Sequence, residues 1–293
     1  MSNPIIKGAV VQAGTCLYDT PRTLEKFEDL LGDAARAGAE LVVFPEAFIG
    51  GYPKGEDFGA RVGSRTPKGR TDYQRYYDSA MALDGPELAR ICKAVARANV
   101  NVVVGVIEQG GATLYCTALY FAKDGTLVGK HRKLMPTAME RLIWGFGDGS
   151  TLSVQNMDVG KVGALICWEN YMPLARTHMY AQGVEFYCAP TVDDRPVWTP
   201  TMQHIAIEGR CFVLSAVQHT DRVNGGSCIV SPFGDLLAGP VFGEDVILTA
   251  DLDKSLITQG KYDLDTVGHY ARPDVFSLHV NTKAQSAVIE EED

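Results

Sequence analysis

The feature that most restricts the fold is a strand–helix–strand unit that occurs twice. IIKGAVVQ (5–12) reads as a strand, and Thr20-Pro21 opens a helix with Thr20 as cap and Pro21 at the first position. Leu24, Phe27, Leu31 and Ala34 recur at helical spacing as far as Gly38, and ELVVFPEAF (40–48) is a short strand closed by Pro45. The pattern returns as strand KVGALICWEN (161–170), helix PLARTHMYAQG (173–183) and strand VEFYCAPT (184–191). Between the units, Leu88, Ile91, Cys92, Val95 and Ala96 form a helical stripe after Asp84-Gly85-Pro86, and VNVVVGVIEQ (100–109) is a buried strand. Hairpins are expected around Asp124-Gly125 and the Pro-Phe-Gly-Asp turn at 232–235. A helix from Thr199-Pro200 to Glu208, a strand over 210–218 and a last strand over 245–253 complete the pattern. The expectation is a sheet-rich α/β layered domain with both sheet faces covered. Residues 54–75, rich in Arg, Lys, Gly and Asp, read as a long surface loop.

Charge and cysteine usage narrow the function. The 293 residues carry a net charge of -9, and Glu290, Glu291, Glu292 and Asp293 read as a solvated acidic tail. An acidic balance argues against nucleic acid or an anionic membrane as partner. The longest apolar runs, such as 102–107, fall far short of the ~20 residues a membrane helix needs. The first residues lack a basic region followed by an apolar stretch, so a cytoplasmic protein is expected. Seven cysteines, an odd number without Cys-x-x-Cys spacing, fit neither a disulfide framework nor a zinc site.

Chemistry is expected at strand ends, where backbone pairing stops and side chains project. Glu46 follows LVVFP, Cys167 follows GALI, and Lys133 lies just past LVGKHR. A cysteine, a lysine and a carboxylate form a coherent set if they meet. The thiolate attacks, the ammonium favours it, and the carboxylate serves as general base. Cys92 on its helical stripe and Cys116, Cys188, Cys211 and Cys228 within strand-like runs read as core fillers. A Cys–His pair using His131 or His204 is the alternative, with nothing in the spacing to favour it. WGFGDGS (144–150) is an irregular loop rather than a phosphate loop.

The blocks FPEAFIGGYP, KHRKLMPTAMERLIWGFGDGS and GALICWENYMPLAR strongly resemble the nitrilase superfamily of carbon–nitrogen hydrolases. The likeness continues through CAPTVDDRPVW, HIAIEGRCFVLSA and GHYARPDVFSL and covers roughly residues 5–280 of one domain spanning 1–293. It implies a four-layer αββα sandwich in which Glu46, Lys133 and Cys167 meet at one pocket. Glu140 matches a second glutamate, which either orients Lys133 or moves a proton. Trp168, Tyr52 and Thr191 are candidate substrate-binding residues, and the Trp168 N–H is a candidate oxyanion donor. CWENYMPLAR and GHYARPDVF resemble the nitrilase branch proper, while Phe146 departs from a frequent glutamine. The implied reaction is cofactor-free and metal-free hydrolysis of a nitrile, aliphatic or arylaliphatic, to a carboxylic acid and ammonia. The resemblance also implies a homodimer or larger, possibly spiral, homo-oligomer. Competing expectations are an amidase-like activity, hydration that stops at the amide, or a catalytically silent assembly protein.

Overall fold

The computed structural model describes residues 5–288, so the acidic tetrad at 290–293 lies outside the described residues. In chain order, β1 (Ile5–Gln12), α1 (Thr20–Arg36), β2 (Leu41–Val43), α2 (Pro67–Ser79), α3 (Pro86–Ala98), β3 (Asn101–Gly110), β4 (Thr113–Phe121) and β5 (Leu127–Arg132) form the first half. The second half holds β6 (Gln155–Met157), β7 (Gly160–Ala164), α4 (Pro173–Ala181), β8 (Phe186–Cys188), α5 (Trp198–Gly209) and β9 (Phe212–Ser215). It ends with β10 (His219–Thr220), β11 (Val223–Val230), β12 (Leu236–Phe242), β13 (Val246–Asp253) and α6 (Ser255–Asp263).

One sheet runs β13-β1-β2-β3-β4-β5, the other β10-β11-β9-β8-β7-β6 with β12 on β11. At the centre of each, three strands are parallel, β1-β2-β3 and β7-β8-β9, and antiparallel strands flank them. The central strands are apolar on both faces, and their two-residue period sorts side chains into separate layers. On β3, Val103 and Ile107 pack between the sheets, while Val102, Val104 and Val106 pack outward beneath α1 and α3. On β8 and β9, Phe186, Cys188, Phe212 and Leu214 face the other sheet, and Tyr187 and Val213 face α4 and α5. Three apolar layers between four layers of structure make the αββα sandwich.

Three local expectations change. The α1 cap is Asp19, whose Oδ1 accepts from Arg22 N at 3.0 Å, and Thr20 is already helical, its hydroxyl donating to Ser79 O. The end of the 54–75 stretch, from residue 67 onward, is helix, because Thr66 caps α2 through Gly69 N at 3.0 Å and Pro67 starts it. This helix lacks an aliphatic stripe and buries Gly69, Tyr76 and Ser79 instead, so hydrophobic periodicity misses it. The strand in GALICWEN stops at Ala164, and Cys167–Tyr171 is a tight 3-10 turn.

Candidate active site

Glu46 sits where β2 has ended but the chain still pairs with β3, Gly105 N donating to Pro45 O at 3.2 Å and Ile49 N to Gly105 O at 3.1 Å. That approach requires glycine: a Cβ at Gly105 would collide with Pro45 O and lie 2.7 Å from Glu46 Cα. Gln218 adds a bond from Nε2 to Glu46 O at 2.7 Å. Lys133 follows β5, its N–H on Cys116 O at 2.8 Å. Cys167 opens its 3-10 turn at φ 52°, with its N–H on Pro190 O at 2.9 Å and Asn170 Nδ2 on its carbonyl at 2.8 Å. Ala47, Ala138 and Cys167 all adopt the left-handed conformation, so backbone strain gathers beside Glu46, Glu140 and the cysteine.

The side chains converge. Lys133 Nζ donates to Glu46 Oε1 at 2.7 Å and to Glu140 Oε2 at 2.8 Å, with all three groups buried. The two carboxylates are held differently. Glu140 also accepts from Thr137 N at 2.6 Å and from the Tyr52 hydroxyl at 2.8 Å, so both of its oxygens are engaged. Glu46 keeps Oε2 buried without a partner among the described residues. Burial raises the Glu46 pKa, Lys133 lowers it and Glu140 raises it again, for a net value of about 6. Burial works against the Lys133 ammonium, but Glu46, Cys167, Cys116 and Glu140 hold its pKa well above the usual lysine value.

The thiol departs from the sequence expectation. Burial pushes Cys167 up, the Glu46 charge adds to this, and Lys133 and Thr191 pull only partly back. The ammonium is shared by two carboxylates, so it does not leave a resting thiolate. Cys167 rests as a thiol beside a carboxylate able to take its proton.

Thr191 lies against Cys167, its hydroxyl accepting from Asp193 N at 2.9 Å. The Trp168 side chain reaches the surface. Its ring is 42% exposed, and Nε1 donates to Asp193 Oδ2 at 2.9 Å, under the Arg195 guanidinium at 4.7 Å. The backbone N–H of Trp168 has no acceptor among the described residues. A cavity of about 150 Å³, walled by Tyr52, Phe58, Met139, Leu142 and Trp144, opens beside Glu140.

Neither histidine pairs with the cysteine. His131 bonds to Glu169 at 3.0 Å, and His204 is a largely exposed α5 residue 3.8 Å from Glu208. Sequence reasoning missed two neighbours. Cys116 is a core residue as expected, yet its Sγ donates to Glu46 Oε1 at 3.6 Å. Glu169 is wholly buried against the turn that carries Cys167. Glu169 stands within GALICWENYMPLAR and Cys116 in a strand-like run, but only the pairing of β2, β3 and β4 brings Cys116 to Glu46, and only sheet-to-sheet packing brings Glu169 to Leu134 and His131.

Residues 7–262 match the carbon–nitrogen hydrolase family, and the chain belongs to it. A bifunctional nitrilase/nitrile hydratase of Nicotiana tabacum is 52% identical over 310 residues, 98% of this chain and 89% of its own. A nitrilase of Bradyrhizobium diazoefficiens is 53% identical over 301 residues (96% and 94%), and nitrilase 2 of Arabidopsis thaliana 49% over 311 (98% and 92%). Within the family the chain belongs to the nitrilase branch. The fold is shared with the NitFhit protein of C. elegans, at TM-score 0.78 and 18% identity over 98% of this chain and 70% of that one. A carbon–nitrogen hydrolase of Helicobacter pylori gives TM-score 0.74 at 21% identity over 94% and 97%.

Proposed function

We propose that this protein is a nitrilase that converts an organic nitrile to its carboxylic acid and ammonia through a covalent cysteine intermediate. One observation carries the reading: a buried lysine bridges two carboxylates, and one of them, Glu46, keeps an unpaired oxygen and contacts a left-handed cysteine. The close relatives named as nitrilases support the substrate class.

Cys167 Sγ attacks the nitrile carbon as Glu46 Oε2 takes the thiol proton and delivers it to the nitrile nitrogen, which forms the thioimidate and leaves Glu46 ionised again. Lys133 Nζ and the Trp168 N–H stabilise the charge developing on that nitrogen. Water, deprotonated by Glu46, adds to the thioimidate. Loss of ammonia leaves a thioester, and a second water cleaves it to the acid and restores the thiol. Glu140, with both oxygens already engaged, orients Lys133 rather than carrying a proton. Tyr52 holds Glu140 and walls the cavity, and Thr191 flanks the thiol. No cofactor is required by these steps.

A second outcome is favoured by the relatives named as bifunctional: the tetrahedral intermediate can expel the thiol and release an amide. Incubation with a dinitrile, phenylacetonitrile and benzonitrile, quantifying ammonia, acid and amide, tests both outcomes. Acid with equimolar ammonia supports hydrolysis, amide alone supports hydration, and no product from any nitrile overturns the reading. All seven cysteines are free, which fits a cytoplasmic protein. Leu174 and Ile207, exposed on α4 and α5, fit a homodimer or larger oligomer, to be read by light scattering.

A further inference from the structure

Glu169 takes no part in the steps above. It lies two residues past Cys167, and its side chain is fully buried. Its carboxylate accepts Ile166 N at 2.7 Å and Leu134 N at 2.6 Å, and it meets His131 Nε2 at 3.0 and 3.1 Å. Ile166 directly precedes Cys167, and Leu134 directly follows Lys133. His131, on β5 two residues before Lys133, has its other ring nitrogen on Thr151 O at 3.2 Å. One carboxylate therefore grips the peptide in front of the cysteine and the peptide behind the lysine. Those peptides belong to opposite halves of the sandwich.

A buried polar network gives little stability over apolar packing of the same shape, so a fully bonded one is better explained by the geometry it fixes. Cys167 also sits in a left-handed conformation that its neighbours must hold in place. We propose that Glu169 and His131 are positioning residues that set the distance between Cys167 and Lys133 for the reaction. The proposal rests on the nitrilase reading. The effect of Lys133 on the sulfur and on the nitrile nitrogen depends on that distance in a dry site, where a shift of about 1 Å can cost about 10² in rate.

Glu169→Gln keeps the shape but turns an N–H₂ toward one of the two backbone donors, releasing one grip. Expected is a kcat per folded enzyme lower by about 10² at nearly unchanged KM. Alkylation of Cys167 by iodoacetamide, located by peptide mass, is expected to slow about tenfold. A kcat per folded enzyme within a few-fold of wild type, with or without a lower Tm, overturns the proposal. If Glu169→Gln does not fold, His131→Gln, which keeps one donor toward Glu169, is expected to lower kcat about tenfold at constant KM, and wild-type kcat overturns the proposal. Wild type that hydrolyses no nitrile overturns the functional reading instead. The positioning role is then judged on alkylation alone, and equal rates in wild type and Glu169→Gln overturn it.

Discussion

At the scale of single residues, the site divides its labour by hydrogen bonding. Cys167→Ala is expected to abolish nitrile turnover, and intact-mass analysis of wild type with a slow nitrile should place the adduct on the Cys167 peptide. Cys116, close to Glu46 but buried in β4, should stay unmodified. Its thiol is held well above the usual range, first by burial and then by the Glu46 charge. The same packing gives a pH signature. Glu46 accepts a proton only when ionised, and its pKa is raised from 4.5 to about 6. Activity is therefore expected to fall as pH drops through about 6. Stability moves the other way for this group, since a raised folded-state pKa means the folded protein binds the proton more tightly than the unfolded chain. Acidification from pH 7 to 5.5 should thus lower kcat by about fourfold without a Glu46-linked loss of Tm. Parallel loss of both would assign the acid limb to unfolding.

Elements matter because they place backbone before side chain. Gly105 on β3 admits the Pro45–Glu46 peptide at contact distance, with backbone on the far side that cannot swing away. Gly105→Ala is expected to destabilise the fold by about 1–3 kcal/mol through overpacking. A Tm lower by several degrees, with kcat per folded enzyme also reduced, is the expected reading; an unchanged Tm would show that the segment yields. These elements differ in how legible they were. The strands of both units and α3 stand out in the sequence because each carries an unbroken apolar run or stripe. Helix α2 was hidden because its inward face is Gly69, Tyr76 and Ser79, and α6 because it buries only Ile257 and Gly260. Glu46, Lys133 and Cys167 were legible as polar residues at strand ends, and their meeting followed from the family likeness. Glu169 and Cys116 were not legible, since their roles arise from contacts at separations of 35 and 70 residues.

For the whole molecule, the decisive fact is that the site straddles the seam between the sheets. Glu46, Lys133 and Glu140 hang from the β1–β5 half, and Cys167 and Thr191 from the β7–β9 half. Catalytic distances are thus inter-sheet distances, and groups that pin one sheet to the other should govern rate. Tyr120 is such a pin. It lies on β4, buried between the sheets, and its hydroxyl accepts Ala164 N from β7 at 2.8 Å, three residues before the nucleophile. Tyr120→Phe leaves the ring packing intact and strands that buried N–H, at a cost of about 1–3 kcal/mol. Since β7 is then free to shift against β4, kcat should fall while KM holds, because the apolar cavity beside Tyr52 is walled by neither strand. A thermal melt and a Michaelis–Menten series on the same preparation check this. If the lost stability comes with an unchanged kcat, sheet registry is fixed elsewhere and Tyr120 only anchors the core.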